Sequence, residues 1–140
     1  MELNHDELPH LIMGVCMEVH RALGPGLTDH AYREAVAREL RDRELQCRRE
    51  VDFEVEFKGT PIPKAVVADF IVEDLLALEV RSDPELTEAD RHRLRRILSL
   101  SGLKTGMLVN FNVRDLRNGI ARIVVTATTG APVPRGSRPI

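Results

Sequence analysis

The chain has 140 residues, the size of one domain, and 43% of them are hydrophobic, enough to bury a core without disulfide or metal staples. Its 20 basic and 22 acidic residues leave a formal net charge of −2, which excludes the overall basic excess common among nucleic-acid binders but not a local basic patch. No basic segment followed by an apolar run opens the chain and no stretch has the length of a membrane span, so the expected location is cytoplasmic.

Leu8, Leu11, Ile12, Val15, Val19, Ala22 and Leu23 follow helical spacing, with Asp6 as the expected cap and Pro9 in the first turn. Gly24-Pro25-Gly26 ends that helix. Thr28 caps a second one to about Arg43, with Ala31, Ala35, Val36 and Leu40 on its inner face. Residues 51–57 alternate, Val51, Phe53, Val55 and Phe57 against Asp52, Glu54 and Glu56, as in a strand with one wet face. Lys58-Gly59-Thr60-Pro61 reads as a turn, Val66 to Val72 as a more buried strand, Glu73-Asp74 as a two-residue turn and Leu75 to Arg81 as the next strand. Thr87 caps a helix to about Ser101 with Glu88 and Asp90 near its positive end, and Gly102 stops it. Strands follow at Met107 to Phe111 and Ile120 to Val125. Residues 1–128 form a single domain in this reading, and 129–140, rich in Thr, Gly, Pro, Ser and Arg, a flexible tail.

Few residue types here carry chemistry. Cys16 and Cys47 form no Cys-x-x-Cys pair and read as reduced, packed thiols. His5, His10, His30 and His92 show no ligand spacing, and His20 reads as a structural hydrogen-bond partner near the Gly24-Pro25-Gly26 turn. That turn is not a phosphate loop, because it follows a helix and lacks the Lys-Ser/Thr pair. Asp69 and Glu79 lie on consecutive antiparallel strands, and Ala77, Glu79 and Arg81 share one face while Leu76, Leu78 and Val80 share the other. Two convergent carboxylates are a natural seat for Mg²⁺, which would polarise a phosphodiester and acidify its water. With Arg81 beside them they also read as a salt-bridge cluster.

Along residues 6 to 125 the chain resembles the GxxExxY family, a branch of the PD-(D/E)XK nuclease-like fold. The resemblance rests on Glu18-Val19-His20-Arg21, Leu23-Gly24-Pro25-Gly26-Leu27, Tyr32, Phe57-Lys58-Gly59, Asp69, Glu79, Ser101-Gly102-Leu103-Lys104 and Asn110-Phe111-Asn112-Val113. It implies an α/β core, a mixed central sheet flanked by helices in the order α-α-β-β-β-α-β-β. It also implies a divalent metal, Mg²⁺ or Mn²⁺, on the hairpin acids Asp69 and Glu79, a lysine two residues after the second acid that assists the attack, and Glu18 as a first-helix acid at the metal site. No small-molecule cofactor is implied. The chain departs from the pattern at Asp29, where the naming motif has Glu while Gly26 and Tyr32 are kept. It departs again at Arg81 in place of the lysine, and at Arg93 in place of a usual Gln.

Arginine stays charged and cannot act as a base, but its fork can hold two carboxylates. Arg81 is therefore expected to replace the metal rather than assist it. Asp29 and Tyr32, one helical turn apart, can face the acids. Arg91, Arg93, Arg95 and Arg96 crowd one helix, either as a phosphate-facing patch or as a solvated or subunit-contacting face. Three functions follow: a catalytically degenerate, self-assembling structural or interaction module, a Mg²⁺-dependent nuclease, and a non-cleaving nucleic-acid binder.

Overall fold

Apolar residues at helical spacing, Leu8, Ile12, Val15 and Val19 among them, are buried along α1 (Leu8–Leu23) in a computed structural model that describes residues 6–125. The boundary at 128 and the tail from 129 lie outside the described residues. The N-cap position of α1 is Glu7, already in helical conformation, rather than Asp6, with the proline in the first turn as expected. In α2 (Asp29–Asp42), Thr28 Oγ1 accepts from the Ala31 N–H at 3.1 Å. Its buried face is Tyr32, Val36, Ala37 and Leu40, so Ala31 and Ala35 flank the inner stripe rather than line it.

Five strands follow: β1 (Cys47–Phe57), β2 (Thr60–Val72), β3 (Leu76–Arg81), β4 (Thr105–Asn110) and β5 (Ile120–Val124). Between β3 and β4 runs α3 (Glu88–Ser101), and a single 3-10 turn (Leu116–Gly119) precedes β5. The strands lie side by side in sequence order, antiparallel except for the β3–β4 pair, which is parallel because α3 carries the chain back. The expected α/β class and element order are both found. The two faces of the sheet support separate cores. Phe70, Val72, Leu76, Leu78, Val80, Met107 and Val109 pack under α1 and α2. Ala68, Ile71, Ala77 and Leu108 pack under Leu94, Ile97 and Leu98 of α3. Gly106 allows that second approach, since a Cβ there would stand 2.8 Å from Leu94 Cδ1. Thr87 and Asp90 complete a capping box at the start of α3, and Gly102, at φ 78°, closes its end.

Three strand boundaries differ from expectation. β1 starts upstream at Cys47, where Arg48, Arg49 and Glu50 hide any alternation on an edge strand. β2 starts at Thr60, so Thr60 and Pro61 belong to it, and only Lys58 and Gly59 turn the chain. Phe57, expected on the core side, is 62% exposed because the outer part of this hairpin extends past α3.

The third difference positions the site. The β2–β3 loop takes three residues, Glu73–Leu75, with Glu73 and Asp74 both at φ 55° and the Leu75 N–H donating to the Val72 carbonyl at 2.9 Å. The resulting register pairs Val72 with Leu76, Ile71 with Ala77 and Phe70 with Leu78, which brings Asp69 opposite Glu79. A two-residue turn would have set Asp69 against Leu78 and turned the acids apart.

Both cysteines are free thiols. Burial pushes the Cys16 thiol up to about 12 and also raises that of Cys47, so neither forms a ready thiolate. No described helix is long and apolar enough to cross a membrane.

Candidate functional site

Beyond Phe70 and Leu78 the ladder between β2 and β3 stops, and the two acids take over its hydrogen bonds. The Asp69 N–H donates to Glu79 Oε2 at 2.8 Å, and the Val80 N–H donates to Asp69 Oδ2 at 2.9 Å. Each carboxylate thus satisfies an amide of the opposite strand, which fixes both side chains where the strands part. Arg81 closes the cluster. Its guanidinium donates to Asp69 Oδ2 at 2.9 Å and to Glu79 Oε1 at 3.1 Å, one arm of the fork on each acid.

The cluster extends to a helix on either side. From α2, Arg33 Nε lies 3.5 Å from Asp69 Oδ1 and its other end 3.2 Å from Asp29. From α3, Asp90 Oδ1 lies 3.8 Å from Arg81 Nε and accepts from Arg93 at 2.8 Å. Asp90 Oδ2 meanwhile takes the Thr87 N–H at 2.9 Å, so the capping carboxylate also serves the cluster. Asp29, Arg33, Asp69, Arg81, Asp90 and Arg93 form a run of alternating charge from α2 to α3, with Glu79 branching from Arg81. Sequence reasoning missed Arg33 altogether and saw Asp90 only as a helix-end acid. The available signals were the four-residue spacing of Asp29 and Arg33 and the Thr87-x-x-Asp90 capping pattern.

Glu79 is 1% exposed. Burial, and then the negative charge of Asp69, raise its pKa to about 7 despite the opposing pull of Arg81 and of the Asp69 N–H. Burial acts to lower the pKa of Arg81, but the Glu79 and Asp69 carboxylates outweigh it and hold the guanidinium above its ordinary value. Asp90 is held below the usual carboxylate range, since the Thr87 hydrogen bonds and the Arg93 and Arg81 charges outweigh its partial burial.

The remaining candidates fall elsewhere. Glu18 is not brought to the cluster. Its carboxylate takes both bonds from Arg21 at 2.7 Å and lines an open groove of about 510 Å³ with His20, Arg114 and Asp115. His20, beside the turn through its carbonyl bond from the Gly24 N–H, hydrogen-bonds the Val113 carbonyl through Nε2 at 2.7 Å. Tyr32 is fully buried, stacked on Phe111 with ring centroids 4.7 Å apart. Its hydroxyl donates to the Gly24 carbonyl and accepts from the Leu27 N–H at 3.2 Å, so it faces the interhelical loop rather than the acids. Gly26 sits in that loop at φ 102°, a conformation that favours glycine, and Ser82 ties the loop to the end of β3 by bonding the Leu27 carbonyl at 2.6 Å. Tyr32→Phe should therefore leave two backbone groups without a partner and cost about 1–3 kcal/mol, read as a lower denaturation midpoint. The arginines of α3 do not act together: Arg93 is drawn into the cluster, Arg91 is half-buried beside Leu86 and Asn118, and Arg95 and Arg96 are exposed.

Whether the acids fit a divalent ion turns on their oxygens. Both Asp69 oxygens and both Glu79 oxygens already face an amide or a guanidinium. Seating Mg²⁺, which takes oxygen ligands in near-octahedral geometry, would require the Arg81 fork to leave. Among the described residues no group of three or more His, Cys, Asp or Glu is placed to hold a metal. The donor set as arranged does not fit the ion.

The fold agrees with a sequence comparison: the profile of the PD-(D/E)XK nuclease superfamily matches residues 6–123. The chain belongs to that superfamily. PD-(D/E)XK proteins usually use Mg²⁺ or Mn²⁺, so the Arg81-bridged acids stand apart from the superfamily's habit. No curated protein and no solved structure matches the chain.

Proposed function

We propose that this chain is a PD-(D/E)XK domain that does not cut nucleic acid, a catalytically degenerate nuclease fold working as a self-assembling structural or interaction module of the GxxExxY branch. One observation carries the reading: the Arg81 fork spans Asp69 and Glu79 in the position a metal would need. Arginine keeps its proton above pH 12 and cannot exchange one with a water as a lysine can. Its charge is permanent, and its bidentate bonds hold the two acids in a set geometry. The branch assignment rests on Gly26, Tyr32 and the other matching strings, with Asp29 as the departure from the naming motif.

The test is a cleavage assay on single- and double-stranded DNA and RNA with Mg²⁺ or Mn²⁺, with Asp69→Ala as control and metal titrations by calorimetry alongside. The expected result is no cleavage and no tight metal binding. Metal-dependent cleavage lost in Asp69→Ala would establish the second reading, a Mg²⁺-dependent nuclease in which Arg81 stabilises the transition state. That reading draws on the direct opposition of Asp69 and Glu79. Cleavage appearing only in Arg81→Lys would mark a decayed site that has kept its frame.

A further inference from the structure

Burial and pairing together single out one arginine. Arg33, Arg48, Arg81 and Arg93 are half-buried, and each is paired with a carboxylate. Arg41, Arg96, Arg114 and Arg122 have no ion pair among the described residues, and all four are exposed, where water serves the charge. Among the described residues Arg91 alone is half-buried with neither an ion pair nor a side-chain hydrogen bond. A guanidinium drawn partly out of water without a counter-charge is costly unless something else meets it.

Arg91 lines a pocket of about 310 Å³ between the segment leading into α3, the segment after β4 and the 3-10 turn before β5. The pocket lies beyond the carboxyl ends of β3 and β4, the parallel pair, where α/β sheets commonly hold ligands. Its walls are fixed in advance. Asn110, 1% exposed, accepts from the Asp83 N–H at 3.0 Å and the Asn112 N–H at 3.2 Å, and donates to the Asp83 carbonyl at 3.0 Å, so one side chain ties two of the segments together. Gly119 brings in the third: a Cβ there would run into the Asn110 carbonyl oxygen and stand 3.1 Å from Val113 Cγ2, so only glycine lets the 3-10 turn come this near to β4.

The lining decides what fits. Pro84, Leu86, Val113 and Ile120 offer apolar surface. Besides Arg91, the uncommitted polar groups are the Asn118 amide and the exposed Glu85 carboxylate, neither of which has a side-chain partner among the described residues. One guanidinium fork matches the two oxygens of a carboxylate. A phosphate dianion would find no second cation among the lining residues and would meet Glu85. We propose that this pocket binds a small organic carboxylate, its charged end on Arg91 with help from Asn118 and its apolar body against Leu86, Val113 and Ile120. The site is separate from the Asp69–Glu79 pair and does not depend on whether the chain cuts nucleic acid.

NMR titrations of the isotope-labelled chain with acetate, hexanoate and benzoate test this, with 1-hexanol and inorganic phosphate as controls. Hexanoate and benzoate are expected to bind in the millimolar range, as about eight or nine non-hydrogen atoms allow, and to shift the amides of Leu86, Arg91, Val113, Asn118 and Gly119. Acetate, which lacks the body, and hexanol, which lacks the charge, should bind roughly tenfold more weakly. Arg91→Gln should weaken hexanoate by a similar factor and Arg91→Lys by less, while Glu85→Gln, which removes a like charge from the lining, should tighten it. Spectra that otherwise match wild type verify each variant's fold, and Arg91→Lys with Glu85→Gln decide the matter should Arg91→Gln not fold. No binding of hexanoate or benzoate at roughly tens of millimolar, shifts confined to other surfaces, hexanol binding as tightly as hexanoate, or indifference to these substitutions each overturns the proposal. Phosphate binding more tightly than hexanoate at the same amides overturns the carboxylate in favour of a phosphate group.

Discussion

Arg81→Ala should lower the stability of the chain by about 3 kcal/mol at neutral pH, a drop in melting temperature on the order of 10 °C for a domain of this size. The substitution removes both guanidinium contacts, to Asp69 at 2.9 Å and to Glu79 at 3.1 Å, and leaves two carboxylates facing each other across the parted strands. Neither acid can swing away freely, because each holds an amide of the opposite strand. Glu79 has no route to solvent at 1% exposure. Breaking a buried pair in this way costs more than the pair contributes, since the charge left behind has lost its compensation. The same substitution vacates the place between the acids, so millimolar Mg²⁺ should raise the melting temperature of Arg81→Ala by binding the folded form, and leave that of wild type unchanged. Arg81→Lys is the intermediate case: it keeps the charge but cannot fork across both acids. Thermal melts with and without Mg²⁺ on the three proteins measure all of this. A wild type stabilised by Mg²⁺ in a way that Asp69→Ala abolishes would mean that Arg81 does not fill the seat.

Much of this architecture is legible in the residues, and the exceptions have common causes. Thr28, Thr87 and Gly102 mark helix ends because each meets a local need, an orphan N–H or a left-handed closing residue, that no distant contact overrides. Asp69, Glu79 and Arg81 are visible as a group because strand alternation sends Glu79 and Arg81 to one side. Their opposition to Asp69 depends on the third loop residue, Leu75, which looks like strand by composition. The outer part of the β1–β2 hairpin was hidden for a different reason. Pro61 and Pro63 signal a turn, but on a hairpin that stands clear of the sheet a missing N–H leaves nothing unpaired in a central ladder. Arg33 and Asp90 belong to helices, and local spacing shows their pairings within those helices but not their reach to the acids, which comes only from the tertiary arrangement. Glu18 shows the converse: its place on the first helix suggested the metal site, while a local bond to Arg21, three residues on, keeps it at the surface.

Between about pH 4.5 and pH 7 the chain should lose stability as the pH rises, and Glu79→Gln should remove most of that slope. The pKa of Glu79 stands at about 7 in the folded chain against an ordinary value of 4.5, raised by burial and by Asp69. Below 4.5 the group is protonated in both the folded and the unfolded chain and contributes no slope. From 4.5 to 7 the unfolded chain has released the proton while the folded chain keeps it, so the folded state binds more protons and every step upward in pH favours unfolding. Above 7 both forms are ionised and the cost is complete, on the order of 3 kcal/mol for a shift of this size. Most acids held by arginines run the other way, as Asp90 does, gaining stability as the pH rises, so the sign separates a carboxyl governed by burial from one governed by its ion pairs. Urea denaturation of wild type and Glu79→Gln at pH 5, 6, 7 and 8 reads the difference directly, because a glutamine cannot titrate and is nearly the same shape. If the stability difference between the two proteins stays constant across that range, Glu79 does not titrate there, and the Arg81 fork, rather than burial and Asp69, governs its charge.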